Sequence, residues 1–264
     1  SIVSLASTDE EIVLDYAGIE NFGDINLSQA AKVDSRGTKG GDIQIQGRKI
    51  TLTEGSRVLL DSFGEGKVGD LNIKASELVR LEGTRIEEDE FGVFQASGGL
   101  FADVVDTGDG GNISIETKRL IVENGAAISA STFWEGKGGN LVIKASESVE
   151  VLGTSADGQF PSLLFADVYD VGDGGNLAIE TKQLIIKDGA QVATSTFGEG
   201  SAGNLTVKAS ESIELDGFVL RDDDIFSSGL FTQVDEGSSG NAGNLNVETG
   251  KLTVLNGAQI ASTA

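Results

Sequence analysis

Along this chain apolar residues recur at every second position in short runs. One phrase, a Gly followed by Asn or Asp and then two apolar residues separated by one other, occurs eight times, opening at Gly23, Gly41, Gly69, Gly111, Gly139, Gly175, Gly203 and Gly243. Its apolar pairs include Ile25/Leu27, Ile43/Ile45, Ile113/Ile115, Leu141/Ile143 and Leu205/Val207. A period of two predicts strands, because a helix needs a period of 3.6. Each unit holds a second alternating stretch, as in Leu120/Val122 and Val149/Val151, and then a third, as in Ala126–Ser131 and Leu164–Val168. The intervals between phrases are 18, 28, 42, 28, 36, 28 and 40 residues, so after the first a constant short unit alternates with a variable long one.

Three short stretches per unit, separated by Gly and Asn/Asp corners, predict an all-β chain. The expected architecture is a right-handed parallel β-helix (solenoid) of about eight coils with three short strands each. One unit cannot bury its apolar face alone, so the coils must stack, and eight at ~4.8 Å give a rod of roughly 38 Å. Residues 1–264 read as a single β-helix domain, with 1–22 an irregular lead-in and 23–264 the coils.

Stacking predicts ladders. The residue four places after each Asn or Asp of the phrase reads Gln46, Lys74, Glu116, Lys144, Glu180, Lys208 and Glu248. Alternating sign sets opposite charges side by side on adjacent coils, worth ~0.2–1 kcal/mol per pair. Asp42, Asp70, Asn112, Asn140, Asn176, Asn204 and Asn244 share one corner, where their side chains are expected to stack and satisfy backbone groups. Phe63, Phe133 and Phe197 recur in Phe-x-Glu-Gly loops and are expected to cap the core.

Composition narrows the chemistry. Of 264 residues, 42 are Asp or Glu and 19 are Lys or Arg, a net charge of −23, which argues against nucleic acid and anionic membrane as partners. Cys, His and Met are absent, so thiol nucleophiles, catalytic triads and N/S metal sites are excluded. Carboxylate or lysine catalysis and oxygen-bound hard cations remain. No apolar run reaches 18 residues, so no membrane insertion is expected. The opening Ser1-Ile2-Val3-Ser4 lacks Met and a basic region followed by an apolar one, and with the repeats this reads as a piece of a longer mature chain.

Variation gathers in insertions at 84–99, 154–163 and 218–229, at one place in alternate coils. Loops on a rigid scaffold are where binding tends to sit. Glu87, Glu88 and Asp89, and Asp222, Asp223 and Asp224, are acidic runs that either chelate Ca²⁺ or stand solvated; no cofactor is required, and calcium is the metal these runs suit. Phe94, Phe160 and Phe226 in the same loops either stack on sugars or tuck onto the rod. A second acidic element, Asp103, Asp106, Asp109 and again Asp167, Asp170, Asp173, has spacing three, unlike calcium-binding nonapeptide repeats. Polysaccharide lyases and hydrolases also use β-helices, but no acidic pair interrupts the repeat as a unique site. Arg85 before Glu87 and Arg221 beside Asp222 are the suggestive cases.

Asp109-Gly110-Gly111-Asn112-Ile113, Asn124-Gly125-Ala126-Ala127-Ile128-Ser129-Ala130-Ser131-Thr132-Phe133 and Lys144-Ala145-Ser146-Glu147-Ser148-Val149-Glu150-Val151 resemble the repeats of large filamentous-haemagglutinin-like exoproteins. These are the secreted partners of two-partner secretion systems, and the variant is similar to one common in cyanobacteria. The resemblance covers roughly residues 23–264. It implies a right-handed parallel β-helix, export through an outer-membrane transporter, and a secreted or cell-surface location. The function expected is that of a non-enzymatic adhesin or matrix segment binding a surface glycan or protein receptor through the insertions. The alternative is a structural filament in which copies of the chain stack end to end; a polysaccharide-active enzyme is the third reading.

Overall fold

A computed structural model describes residues 2–6, 21–89, 92–221, 224–235 and 237–263, and among them the chain is all-β. Two long sheets dominate. The first runs through Ile2–Ala6, Asp42–Leu52, Leu71–Glu82, Ile113–Glu123, Leu141–Leu152, Leu177–Lys187, Leu205–Asp216 and Leu245–Thr249. The second has eight strands, from Lys32–Asp34 and Arg57–Leu59 through Gly99–Phe101, Ala127–Ser129, Leu163–Phe165, Gln191–Thr196 and Gly229–Val234 to Gln259–Thr263. The chain alternates between the sheets and returns each time one strand further along. Every pairing within them is parallel except that of Ile2–Ala6, which runs antiparallel to Asp42–Gln46. That segment was expected to be irregular. The strand covers an otherwise open stretch of sheet edge, the usual remedy for an unpaired edge.

The inward faces meet in one core. Ile113, Ile115, Leu120 and Val122 of the first sheet are fully buried, as are Ile128 and Ala130, and one apolar cluster joins the two sheets. Because the two inner faces supply alternate residues of every strand, the apolar period of two in the sequence is the core itself.

One expectation fails in detail. In six units the first and second alternating stretches are a single strand of 11 or 12 residues, while in the last they are two strands, Leu245–Thr249 and Leu252–Leu255. A register step divides the single strand, where Thr117 pairs with Ala145 but Arg119 pairs with Ser148. The long units carry one residue more at this point than the short ones, a repeated β-bulge. Short units therefore switch inward parity, from Ile115 to Leu120, while long units hold it from Leu141 to Val151.

Corner glycines let the strands approach. A Cβ at Gly175 would lie 1.7 Å from the Gly139 carbonyl oxygen, and one at Gly203 would lie 1.9 Å from that of Gly175. No side chain fits in this column. Beside it, Asn112, Asn140, Asn176, Asn204 and Asn244 form the expected ladder. Each donates its backbone N–H and its Nδ2 to the side-chain Oδ1 of the residue on the preceding strand, at 2.8–3.1 Å. The charge column is in register too: Lys74, Glu116, Lys144, Glu180, Lys208 and Glu248 pair in order.

Candidate functional site

The insertions leave the chain where a first-sheet strand ends and a second-sheet strand begins. Two of them are hairpins, Thr84–Asp89 with Gly92–Ser97 and Phe218–Arg221 with Asp224–Ser227. The middle insertion, 154–163, is a turn in which Asp157 accepts from the Ser155 hydroxyl and the Gln159 N–H, and these bonds hold its carboxyl below the usual range. Arg221 donates from Nη1 to the Gln159 carbonyl at 2.8 Å, joining the second and third insertions.

Outward residues of the second sheet form columns across the strands. One column reads Leu59, Phe101, Ser129, Phe165, Ala193, Phe231 and Ala261, so from Phe101 onward an aromatic alternates with a small residue. The next holds Asp61, Asp103, Ser131, Asp167 and Ser195, and each donates its backbone N–H to a side-chain oxygen of the one before. This second ladder was not foreseen. Asp103 and Asp167 are 7% and 6% exposed, and burial pushes both carboxyls up to about 7, with the neighbouring Asp61 adding to the effect at Asp103. The acids spaced at three therefore do not act together: Asp103 is a buried ladder member while Asp106 is exposed.

Beyond this ladder Phe133, Tyr169 and Phe197 stack, with ring centroids 4.7 and 5.0 Å apart. They do not cap the core as expected. Phe133 and Phe197 are 38% and 44% exposed, since the strand spacing that stacks the rings also holds them outside the sheet.

Between this aromatic stack and the hairpin at 218–227 lies a cleft of about 510 Å³, within the range of small-ligand sites. Phe165, Ala193 and Phe231 contribute to its floor, Tyr169 and Phe197 to one side, and Arg221 and Phe226 to the other. The Arg221 guanidinium lies 4.0 Å over the Phe226 ring, which holds both side chains in place. Gln191 donates to the Ser227 carbonyl at 3.1 Å and pins the hairpin to the sheet. The cleft thus offers apolar rings beside amides, a guanidinium and a buried carboxyl. It is suited to a ligand that is part apolar and rich in hydroxyls. Among the described residues Asp167 is its one lining carboxylate.

The sequence-derived metal candidates are distributed otherwise. Glu87 Oε1 faces Lys32, Arg57 and Arg85 at 3.3, 3.3 and 3.1 Å, and these cations keep its carboxyl below the usual range despite partial burial. Glu88 is exposed on the first hairpin. Asp89 and Asp224 close their hairpins opposite Gly92 and Arg221, while Asp222 and Asp223 lie outside the described residues. Among the described residues no three acids converge as a metal site would need. Arg221, singled out for its acidic neighbours, proves to be a cleft wall. Sequence reading missed the floor, although the alternation of Phe101, Ser129, Phe165, Ala193 and Phe231 was there to find once the third stretches were aligned.

No protein-family model, curated protein or solved structure matches the chain.

Proposed function

We propose that the chain is a segment of a secreted, surface-displayed exoprotein, folded as a right-handed parallel β-helix, that binds carbohydrate in this cleft without cleaving it. The helical reading is supported by the alternation between sheets, the shared core and the chirality of parallel crossovers. Export through an outer-membrane transporter and an adhesive role follow from the repeat resemblance.

The observation that carries the binding reading is the cleft lining, in which Tyr169, Phe197 and Phe226 stand beside Arg221 and Gln191. Sugars present an apolar ring face and an equatorial belt of hydroxyls, and aromatic rings beside fixed polar groups suit both. Hydrolysis of a glycosidic bond needs a second carboxyl across the cleft from the first, and Asp167 is already engaged by the Ser195 N–H at 2.6 Å.

Calorimetric titration of the full chain with neutral oligosaccharides such as cellotetraose and chitotetraose tests this. Binding that weakens about tenfold in Tyr169→Ala and in Arg221→Ala, with the circular dichroism spectrum unchanged, is the expected result. Absence of binding across neutral and acidic sugars, or binding indifferent to both substitutions, would sink it.

A further inference from the structure

A second concavity lies on the opposite sheet and owes nothing to the insertions. At the register step of the first sheet a groove of about 890 Å³ runs across the strands. It meets a further stretch of about 270 Å³ that shares Glu116 and Thr117 with it. From Gln46 to Glu248 it crosses seven strands, six spacings or ~29 Å. Small residues recur along its length, Gly47, Ala75, Thr117, Ala145, Thr181 and Ala209.

Its lining departs from the acidity of the molecule. Five lysines line it, Lys74, Lys118, Lys144, Lys182 and Lys208, against three glutamates, Glu116, Glu180 and Glu248. An adjoining hollow that shares Lys182 adds Arg119 against Glu147, Glu150 and Glu211, so the groove and its rim are together about neutral on a chain of net charge −23. Lys74 pairs with Glu116 at 3.2 Å and Lys208 with Glu248 at 3.7 Å. Among the described residues Lys118, Lys144 and Lys182 have no carboxylate at ion-pair distance, although acids outnumber bases 42 to 19 along the chain.

The spacing of these lysines is regular. Lys74, Lys144 and Lys208 recur on every second strand, as do Lys118 and Lys182 on the strands between. Two strand spacings are ~9.6 Å, about the length of one disaccharide unit in an extended polysaccharide. The interleaved glutamates would repel a polymer charged on every sugar.

We propose that this groove binds a linear acidic polysaccharide carrying one carboxylate per disaccharide, laid across the strands with successive carboxylates facing successive lysines. The site is independent of the cleft on the second sheet. Salt weakens such binding, since the lysines are exposed and their attraction is screened over a distance of about 8 Å at physiological ionic strength.

The test uses the full chain and hyaluronan oligosaccharides, which carry one carboxylate per disaccharide, titrated at low salt. Affinity is expected to rise with length to about three disaccharides, the ~29 Å of the groove. The double substitution Lys144→Gln with Lys182→Gln should weaken binding about tenfold, whereas Tyr169→Ala in the cleft should leave it unchanged. Polygalacturonate oligomers, charged on every sugar, should bind more weakly. The proposal is overturned if hyaluronan fails to bind, if length or the double substitution has no effect, or if polygalacturonate or a single-stranded oligonucleotide binds as tightly. A neutral sugar bound in the cleft of a chain that ignores hyaluronan would leave the cleft reading intact and remove only this one.

Discussion

At the scale of single residues, the buried acids make the clearest claim. Asp103 and Asp167 have folded-state values of about 7 against 3.8 for the free side chain. Between those values the unfolded chain has lost its proton and the folded one keeps it, so stability falls as pH rises across the window. The slope is ~1.4 kcal/mol per pH unit for each group, flattening above the folded value. Asn retains an acceptor for the Ser131 and Ser195 N–H groups and cannot ionise. Melting of Asp103→Asn and Asp167→Asn should therefore occur at higher temperature than that of the parent at pH 8, the advantage fading toward pH 4. Asp34, Glu87 and Asp157, whose carboxyls are held low, pull the parent curve the other way, so the difference between variant and parent is the quantity to read. In the amide ladder, Asn140→Ala removes the Nδ2 bond to Asn112 and strips Asn176 of its acceptor. An unfolding titration should show a loss of about 1–2 kcal/mol. The Asn ladder was legible in the sequence because one residue type recurs at one place. The Asp/Ser ladder was not, because its members differ in type and become equivalent only when third stretches of unequal units are aligned.

At the scale of elements, the merging of two stretches into one bent strand had a visible cause. Thr117-Lys118-Arg119 and Ala145-Ser146-Glu147 contain no Gly, Asn or Pro, the residues that corners require. Without a turn residue the chain steps in register and stays in the sheet; Gly250 at this point divides the last unit into two strands, while Gly47 leaves Asp42–Leu52 whole. The glycine corners are strict by contrast. Gly175→Ala would drive a methyl group into the Gly139 backbone carbonyl at 1.7 Å, and should cost about 4 kcal/mol, the upper end of single-site effects. Soluble yield and denaturant midpoint would report it. The charge column is gentler: Lys144→Glu sets three acids in succession between Lys74 and Lys208. It should lower stability by about 0.5–1 kcal/mol at low salt, with the loss shrinking as salt is added. A loss unchanged by salt would mean that packing, not charge, holds the column.

At the scale of the whole molecule, period two, constant short units and alternating charge were enough to predict stacked parallel strands. What they could not place is the cleft, since its floor comes from one sheet, one wall from an insertion and the other from a corner. The groove on the first sheet was hidden for a related reason: its lysines were legible as half of an ion-pair column, and only the concavity reveals those left without a partner. One feature reaches further still. In both side-chain ladders every donor belongs to the later strand and every acceptor to the earlier, and the Asn ladder runs down to Asp70 and Asp42, anions set where the amide hydrogens point. The stack therefore has a grain. Each strand presents a row of acceptors to the segment that follows it and a row of donors to the segment that precedes it, so two such stacks meeting by like ends would set acceptor against acceptor or donor against donor, and only unlike ends match.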